Sequence, residues 1–446
     1  MKISRTLVSF AVVSALGTFA DGAQASGFAL VEQNASGIGN AYAGQAASAQ
    51  DASTIFFNPA GMTLLPGRQV VFAGHAIRPS AEFTNSGSVA SPFLPLGDNG
   101  GDAGDWAFVP NAYLSWQLTP KWFVGVGMNA PFGLKTEYSP TWAGRLHAVE
   151  SDLKTININP SVAYKVNDQV SLGAGISYQR AEATLSNNVN YAGAVAQVLG
   201  PGAGAAIAAA GQGEGLAKIE GDDDAFGYNL GAMFNVNPNT RIGVAYRSSI
   251  SYTISGSVNF GNRPAALAAA LPDGAVHADI KLPASASASL FHKLNPKWDL
   301  LADISWTGWS SIQSLDIVRS NNTLLTTTPL NWSDTWRVSI GANYHMNSAW
   351  TLRMGLAYDE SPVPDADRTP RIPDNDRTWL AFGGQYRLSK QGAIDFGYAY
   401  LHVKDPSVSL CGPATAATLG CRGKNNLVGN YDNSVHIFSA QYRYNF

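Results

Sequence analysis

Only 14% of the 446 residues are charged, the formal net charge is −3, and 45 glycines stand beside 17 Tyr, 19 Phe and 11 Trp. Soluble domains carry about 25% charged residues, and a balance this close to neutral argues against a nucleic-acid or polyanion binder. Past the N-terminal leader no apolar run approaches the roughly 20 residues of a membrane helix, which leaves strands as the means of crossing a membrane.

Lys2 and Arg5 precede an apolar run from Leu7 to Ala20, and Ala23-Gln24-Ala25 follows. A basic start, an apolar stretch and a small-residue cleavage site define a secretory signal, here residues 1–25 with a mature start at Ser26-Gly27-Phe28. Residues 26–68 do not alternate and are rich in Gly and Ala, with short helices expected around 38–50 between Gly and Pro. The segment is too small to build its own core, so something must enclose it.

From Gln69 to Phe446 fourteen stretches alternate apolar and polar residues. They lie near 69–79, 106–118, 122–138, 151–167, 170–187, 225–237, 240–260, 277–295, 298–318, 332–347, 350–363, 378–389, 393–405 and 432–446. In the last, Phe446, Tyr444, Tyr442 and Phe438 share one parity and Asn445, Arg443, Gln441 and Ser439 the other. Such a strand turns one face to lipid and one to a polar lumen. Tight turns such as Leu118-Thr119-Pro120-Lys121-Trp122 and Asn237-Pro238-Asn239 follow the even-numbered stretches. Long loops near 80–105, 139–150, 188–224, 261–276, 319–331, 364–377 and 406–431 follow the odd ones. The expected fold is all-β: a fourteen-stranded antiparallel transmembrane barrel over residues 69–446, with both chain ends in the periplasm.

Two loops are not simply polar. Residues 191–216 and 263–272 read as short helices with apolar faces, among them Val195, Val198, Leu199, Leu267 and Leu271. Apolar residues in external loops are expected to cover or bind something. Asp222-Asp223-Asp224 reads as a solvated run beside the first loop. Cys411 and Cys421 share one loop, and export through an oxidising compartment makes a disulfide the expected state.

No enzyme motif emerges: there is no G-x-S-x-G, H-E-x-x-H or Walker A lysine. No cofactor and no metal site is expected. His147, His345 and His436 read as lumen or interface residues. Parity turns Arg241, Arg247, Arg337, Arg353, Arg387, Arg443, Asp299 and Asp303 inward, where ion-pair ladders are expected. Arg247, Arg337 and Arg353 are the candidate contacts for an anionic head group, because a guanidinium grips a carboxylate as a fork.

The mature start Gly27-Phe28-Ala29-Leu30, the run Ser36-Gly37-Ile38-Gly39-Asn40-Ala41-Tyr42-Ala43-Gly44 and above all Asn58-Pro59-Ala60 resemble the FadL-type outer-membrane transporters of long-chain fatty acids and aromatic hydrocarbons. Phe132-Gly133-Leu134-Lys135-Thr136-Glu137-Tyr138, Asp359-Glu360-Ser361-Pro362-Val363-Pro364 and Ile372-Pro373-Asp374-Asn375-Asp376-Arg377 fit the same family. The resemblance implies that residues 26–68 form a hatch plugging the barrel, with Asn58, Pro59 and Ala60 at its heart. It also implies a kinked third strand that opens a gap in the wall. Gly125, Gly127, Pro131 and Gly133 lie in that strand, where glycine and proline weaken pairing. Substrate would be captured on the external loops, pass to an inner pocket and leave sideways into the membrane. One departure concerns the carboxylate: at two positions where family members carry basic pocket residues, this chain has Leu185 and Asp316.

The expected function is passive uptake of hydrophobic molecules, long-chain fatty acids first and monoaromatic hydrocarbons second. A barrel lipid hydrolase and a ligand-free adhesive barrel are the readings from other classes. The expected partners are the hydrophobic substrate, outer-membrane lipid and lipopolysaccharide, and the barrel-assembly machinery, which would read the C-terminal strand ending in Phe446.

Overall fold

The computed structural model describes residues 27–412, 421 and 423–446, so the signal and its cleavage site lie outside the described residues. The alternating region becomes one closed antiparallel sheet. In chain order the strands are β1 (Arg68–Asn85), β2 (Ala107–Gln117), β3 (Trp122–Asn129, then Gly133–Glu137), β4 (Glu150–Lys165), β5 (Val170–Asn190), β6 (Glu214–Asn237), β7 (Thr240–Arg247, then Ile250–Phe260), β8 (Gly274–Leu282, then Ser285–Asn295), β9 (Trp298–Thr307, then Ser314–Arg319), β10 (Leu324–Pro329, then Thr335–His345), β11 (Trp350–Asp359), β12 (Arg377–Arg387), β13 (Gly392–Val403) and β14 (Leu427–Asn445). Neighbours in sequence pair, and β14 returns to β1 from Gln69↔Asn445 to Asn85↔Gly429. Fourteen strands therefore close into a barrel, as the alternation requires, and closure removes the exposed edges.

Period two decides the faces. On β14 Phe438 and Tyr442 are exposed on the outside, while Ser439 and Gln441 are buried inside. An apolar outer band is what a strand facing hydrocarbon needs. At the short-turn end Asn167, Asn295 and Asn347 each accept two backbone N–H bonds on Oδ1. This local Asx bonding is why a short Asn can end one strand and start the next. Trp–Tyr pairs ring the same end, at 4.6 Å for Trp122–Tyr164, 4.8 Å for Trp298–Tyr344 and 4.7 Å for Trp350–Tyr386. Amphipathic rings suit the edge of a hydrocarbon layer.

The long-loop end departs from the expected boundaries. β5 and β6 have 21 and 24 residues, about twice the length needed to span a bilayer. The loop expected over 188–224 shrinks accordingly, and Asp222-Asp223-Asp224 lie on β6, where Asp222 bonds Arg180 at 2.9 Å. The expected helix over 263–272 is a single 3-10 turn, Ala265–Leu267.

Residues 27–67 run inside the barrel as α1 (Ala35–Ile38), α2 (Gln45–Ser48), α3 (Thr54–Phe57) and a 3-10 turn, Pro59–Leu64. With no core of its own, the segment borrows the wall. Ile38 packs with Ala381 and Ala399, Ile55 and Met62 with Tyr113 and Phe123, and Ala47 with Phe291 and Leu301. Wall glycines let its backbone approach. A Cβ on Gly243 would lie 1.8 Å from the Ala46 carbonyl, and one on Gly231 2.0 Å from Asn58 Oδ1. Buried Asp51 ties the segment together, accepting from Ser36 Oγ (2.6 Å), the Ser53 amide (2.9 Å) and Gln441 Nε2 of β14 (2.8 Å).

Candidate functional site

Four adjacent strands, β7 to β10, break side by side at 248–249, 283–284, 308–313 and 330–334. The flanks Arg247↔Ser285, Ser285↔Thr307 and Thr307↔Thr335 remain in register, so the breaks form one row. Freed from the ladder, Trp309 and Trp332 turn inward and are buried. They meet Phe28 at 4.8 and 5.6 Å and each other at 5.1 Å, and Phe132 completes the cluster 5.9 Å from Phe28. Offset and edge contacts of this kind hold aromatic groups firmly. The four rings divide the lumen into two chambers.

The outer chamber is a slot of aliphatic side chains, among them Leu134, Leu153, Leu185, Ile219, Ile254, Val276, Ile280, Ile312, Ile317 and Leu330, with Phe28 and Trp332 at its floor. Arg371, from the loop between β11 and β12, reaches the chamber. Its guanidinium donates to the Glu150 carbonyl (3.0 Å), Ser151 Oγ (2.9 Å), the Ser186 carbonyl (3.2 Å) and Asn187 Oδ1 (3.3 Å). Burial lowers its pKa to about 10. Leu185 lines this chamber, whereas Asp316 does not: it accepts from Ser314 Oγ at 2.8 Å and from Thr327.

The inner chamber lies beyond the rings and is of mixed character. Leu30, Val31, Phe56, Phe57, Pro59, Pro131 and Phe132 supply apolar wall; Arg247, Arg337, Asp359, Ser287, Ser305 and Thr335 supply polar groups. Arg247 donates to Ser177 Oγ (3.1 Å) and the Phe56 carbonyl (2.9 Å), and lies 4.2 Å over the Phe56 ring. Arg337 donates to the Ala41 carbonyl (2.6 Å) and lies over Trp379. Arg353 is different. It forms a buried ion pair with Asp395 at 2.7 Å, bonds Gln50 at 2.8 Å, and lines neither chamber. The Asn58-Pro59-Ala60 turn forms part of the inner wall through Pro59. Asn58 Nδ2 donates to Ala46 (2.7 Å) and Ala232 (3.0 Å), while Oδ1 accepts from the Ala60 amide (3.1 Å).

The wall has a window beside this chamber. β2 and β3 pair only from Ala112↔Met128 to Gln117↔Phe123, and the second half of β3 pairs with β4 alone. Residues 107–111 of β2 thus have no ladder partner on that side, a stretch of about 17 Å at ~3.4 Å per residue. Higher up, the Glu137 amide bonds the Ala103 carbonyl and closes the top. Gly125 and Gly127 do not contribute. They sit in full ladders opposite Ser115 and Tyr113 on one side and Ser161 and Asn159 on the other. Gly125 instead gives room to Ile55 and Met62 of the inner segment. The irregularity comes from Pro131, and Gly133 resumes pairing beyond it. A cavity in the window is lined by Leu30, Phe108, Pro110, Ala130, Phe132, Leu153 and Ile156, with Lys154, Arg180 and Glu182 at its rim. It shares Leu30 and Phe132 with the inner chamber and Leu153 with the outer one.

The external residues divide. Val195, from helix α4 (Tyr191–Leu199), and Leu267 are buried together with Tyr191, and Leu271 packs against them. Val198 and Leu199 face outward, 75% and 62% exposed. Cys411 and Cys421 form a disulfide. His147 bonds the Asn425 carbonyl at 2.9 Å, and burial lowers its pKa to about 3. The residues that parity alone did not single out are Phe28, Trp309, Trp332 and Arg371. The signal for the two tryptophans was the loss of alternation around them.

A closed fourteen-stranded barrel with an apolar exterior, a filled lumen and an apolar internal route defines an outer-membrane transport barrel. Residues 16–446 match the family described as outer membrane protein transport protein (OMPP1/FadL/TodX), and the chain belongs to that family. It is 32% identical to the 47 kDa outer membrane protein of Pasteurella multocida, covering 90% of this chain and 92% of the other. It is 29% identical to the long-chain fatty acid transport protein of Escherichia coli (strain K12), covering 85% and 88%. A crystal structure of a Pseudomonas aeruginosa FadL homologue superposes with a TM-score of 0.84 at 26% identity, covering 94% of this chain and all of that one. The barrel is an outer-membrane protein.

Proposed function

We propose that this chain is a passive channel for hydrophobic molecules, with long-chain fatty acids as the principal substrate class, and not an enzyme. The observation that carries the reading is that the window cavity is walled by residues of both chambers, Leu153 of the outer one and Leu30 and Phe132 of the inner one, so that each chamber borders an apolar way out through the wall. A fatty acid crossing the outer membrane meets polysaccharide outside and gains little from a watery pore. An apolar slot leading sideways to lipid keeps its chain out of water, where each buried CH₂ is worth about 0.8 kcal/mol. Uptake runs downhill, driven by partitioning and consumption. Residues 26–68 act as the hatch on barrel 69–446, with Asn58, Pro59 and Ala60 holding it closed. Val198 and Leu199 present the capture surface, which Val195, Leu267 and Leu271 support by packing beneath it. The lipid-facing belt supports contact with outer-membrane lipid and lipopolysaccharide, and the strand ending in Phe446 supports recognition by the barrel-assembly machinery.

The test is uptake of radiolabelled oleate by a host lacking its own homologue, with and without this chain, at a measured surface level. Oleate accumulation should rise at least tenfold with the chain. No rise, with folded barrel present, overturns the reading.

A further inference from the structure

Arg247 is a cation inside the barrel that no carboxylate of the described residues pairs. Among the described residues it forms no ion pair, in contrast to Arg353 with Asp395 and Arg377 with Asp374. Arg337, which shares the chamber, has Asp359 as its ladder partner and Glu32 nearby. The two bonds of Arg247 go to a neutral hydroxyl and a neutral carbonyl, and one face of the guanidinium is covered by Phe56. A guanidinium has five N–H groups, so most remain for the chamber that Arg247 lines. Enclosing a charge without a partner is costly, and such a site gains most from an anion that arrives with the ligand.

The outer chamber, lined by Arg371 and His277, offers a cation less free to receive a ligand, although Arg371 too has no ion pair among the described residues. Its arginine, Arg371, already spends its guanidinium on Glu150, Ser151, Ser186 and Asn187, and Leu185 adds only apolar wall. The first chamber therefore accepts a chain without reading its end. We infer that Arg247 receives the carboxylate of a fatty acid in the inner chamber, after the aromatic cluster and before the window, and that this contact is where the channel distinguishes an acid from a neutral hydrophobe. The same guanidinium holds the Phe56 carbonyl, two residues before Asn58, so the head group arrives at the inner segment itself. This inference rests on the uptake reading and adds the residue and the chamber.

The experiment measures uptake of oleic acid and of the matching alcohol by wild type, Arg247→Gln and Arg247→Lys, each scored against the amount of heat-modifiable folded barrel. The acid-to-alcohol ratio should fall about tenfold in Arg247→Gln, the worth of one charge-assisted bond, and be partly restored in Arg247→Lys. An unchanged ratio in folded Arg247→Gln overturns the inference while leaving uptake intact. Wild type that carries neither compound overturns the uptake reading instead. A second measurement needs no variant: a fatty acid with a diazirine beside its carboxyl, bound to wild type and photolysed, should label residues of the inner chamber around Arg247. Labelling confined to the Arg371 loop sinks the assignment.

Discussion

Leu30 donates its backbone N–H to the carbonyl of Pro131 at 2.8 Å, joining the inner segment to the one break in β3. The neighbouring Gly133 amide bonds the Phe28 carbonyl at 2.9 Å, and Ala29 pairs with Phe132. A proline interrupts the ladder, and a single bridge at Ala29, with the backbone of Phe28 and Leu30 on either side, supplies partners there. Backbone groups left open to hydrocarbon cost several kcal/mol each, so the window is covered from inside.

Because Ala29 and Phe132 are bridge partners, cysteines at both positions lie within disulfide reach. Ala29→Cys/Phe132→Cys should lose at least tenfold of its oleate uptake on oxidation and recover it on reduction. Uptake indifferent to the cross-link would show that the N-terminal segment need not leave the window.

Asn58→Ala removes three hydrogen bonds, to Ala46, Ala232 and the Ala60 amide. At about 1 kcal/mol each the inner segment should lose ~3 kcal/mol of its hold, with the barrel still heat-modifiable. Single-channel conductance in planar bilayers should then show open events that are rare in wild type. A trace identical to wild type would assign the turn a capping role only.

Phe28→Ala removes the ring that meets Trp309, Trp332 and Phe132. The outer chamber loses its floor, and binding of a fluorescent fatty-acid analogue should weaken about tenfold, near the ~1.4 kcal/mol that such a factor represents. Equal affinity in the variant would place the bound chain away from the aromatic cluster.

His147 sets the acid response of the external loops. Burial lowers its pKa to about 3, against an ordinary value near 6.5. A freed loop binds a proton that the packed loop refuses. The packing is therefore at full strength above pH ~6.5 and weakens steadily as pH falls toward 3. Hydrogen exchange across 139–149 should accelerate between pH 6.5 and 4 in wild type, and much less in His147→Asn. Equal acceleration in both would move the cause to another group.

Much of this was legible in the chain. Alternation named every barrel strand, because a closed sheet between lipid and a polar lumen imposes period two on each residue it contains. The outer ends of β5 and β6 are not legible in the sequence, because above the membrane both faces meet water and the pattern fades while the hydrogen-bond ladder continues. Gly125 and Gly127 show a related limit. A glycine in a strand signals either weak pairing or a close neighbour, and only the fold shows the second: Ile55 and Met62 crowd Gly125, and the Tyr113 ring crowds Gly127. Arg247, Arg337 and Arg353 look equivalent by parity, yet Arg353 is neutralised by Asp395, 42 residues away.

The sequence by itself determined the compartment, the strand count and the inward or outward sense of side chains along the unbroken strands, since these follow from local periodicity. Only the tertiary structure decided where the wall opens, which rings divide the lumen and which of the three candidate arginines is neutralised by a carboxylate. Those depend on what stands across the barrel from each residue, and distance across a lumen leaves no trace in spacing along a chain.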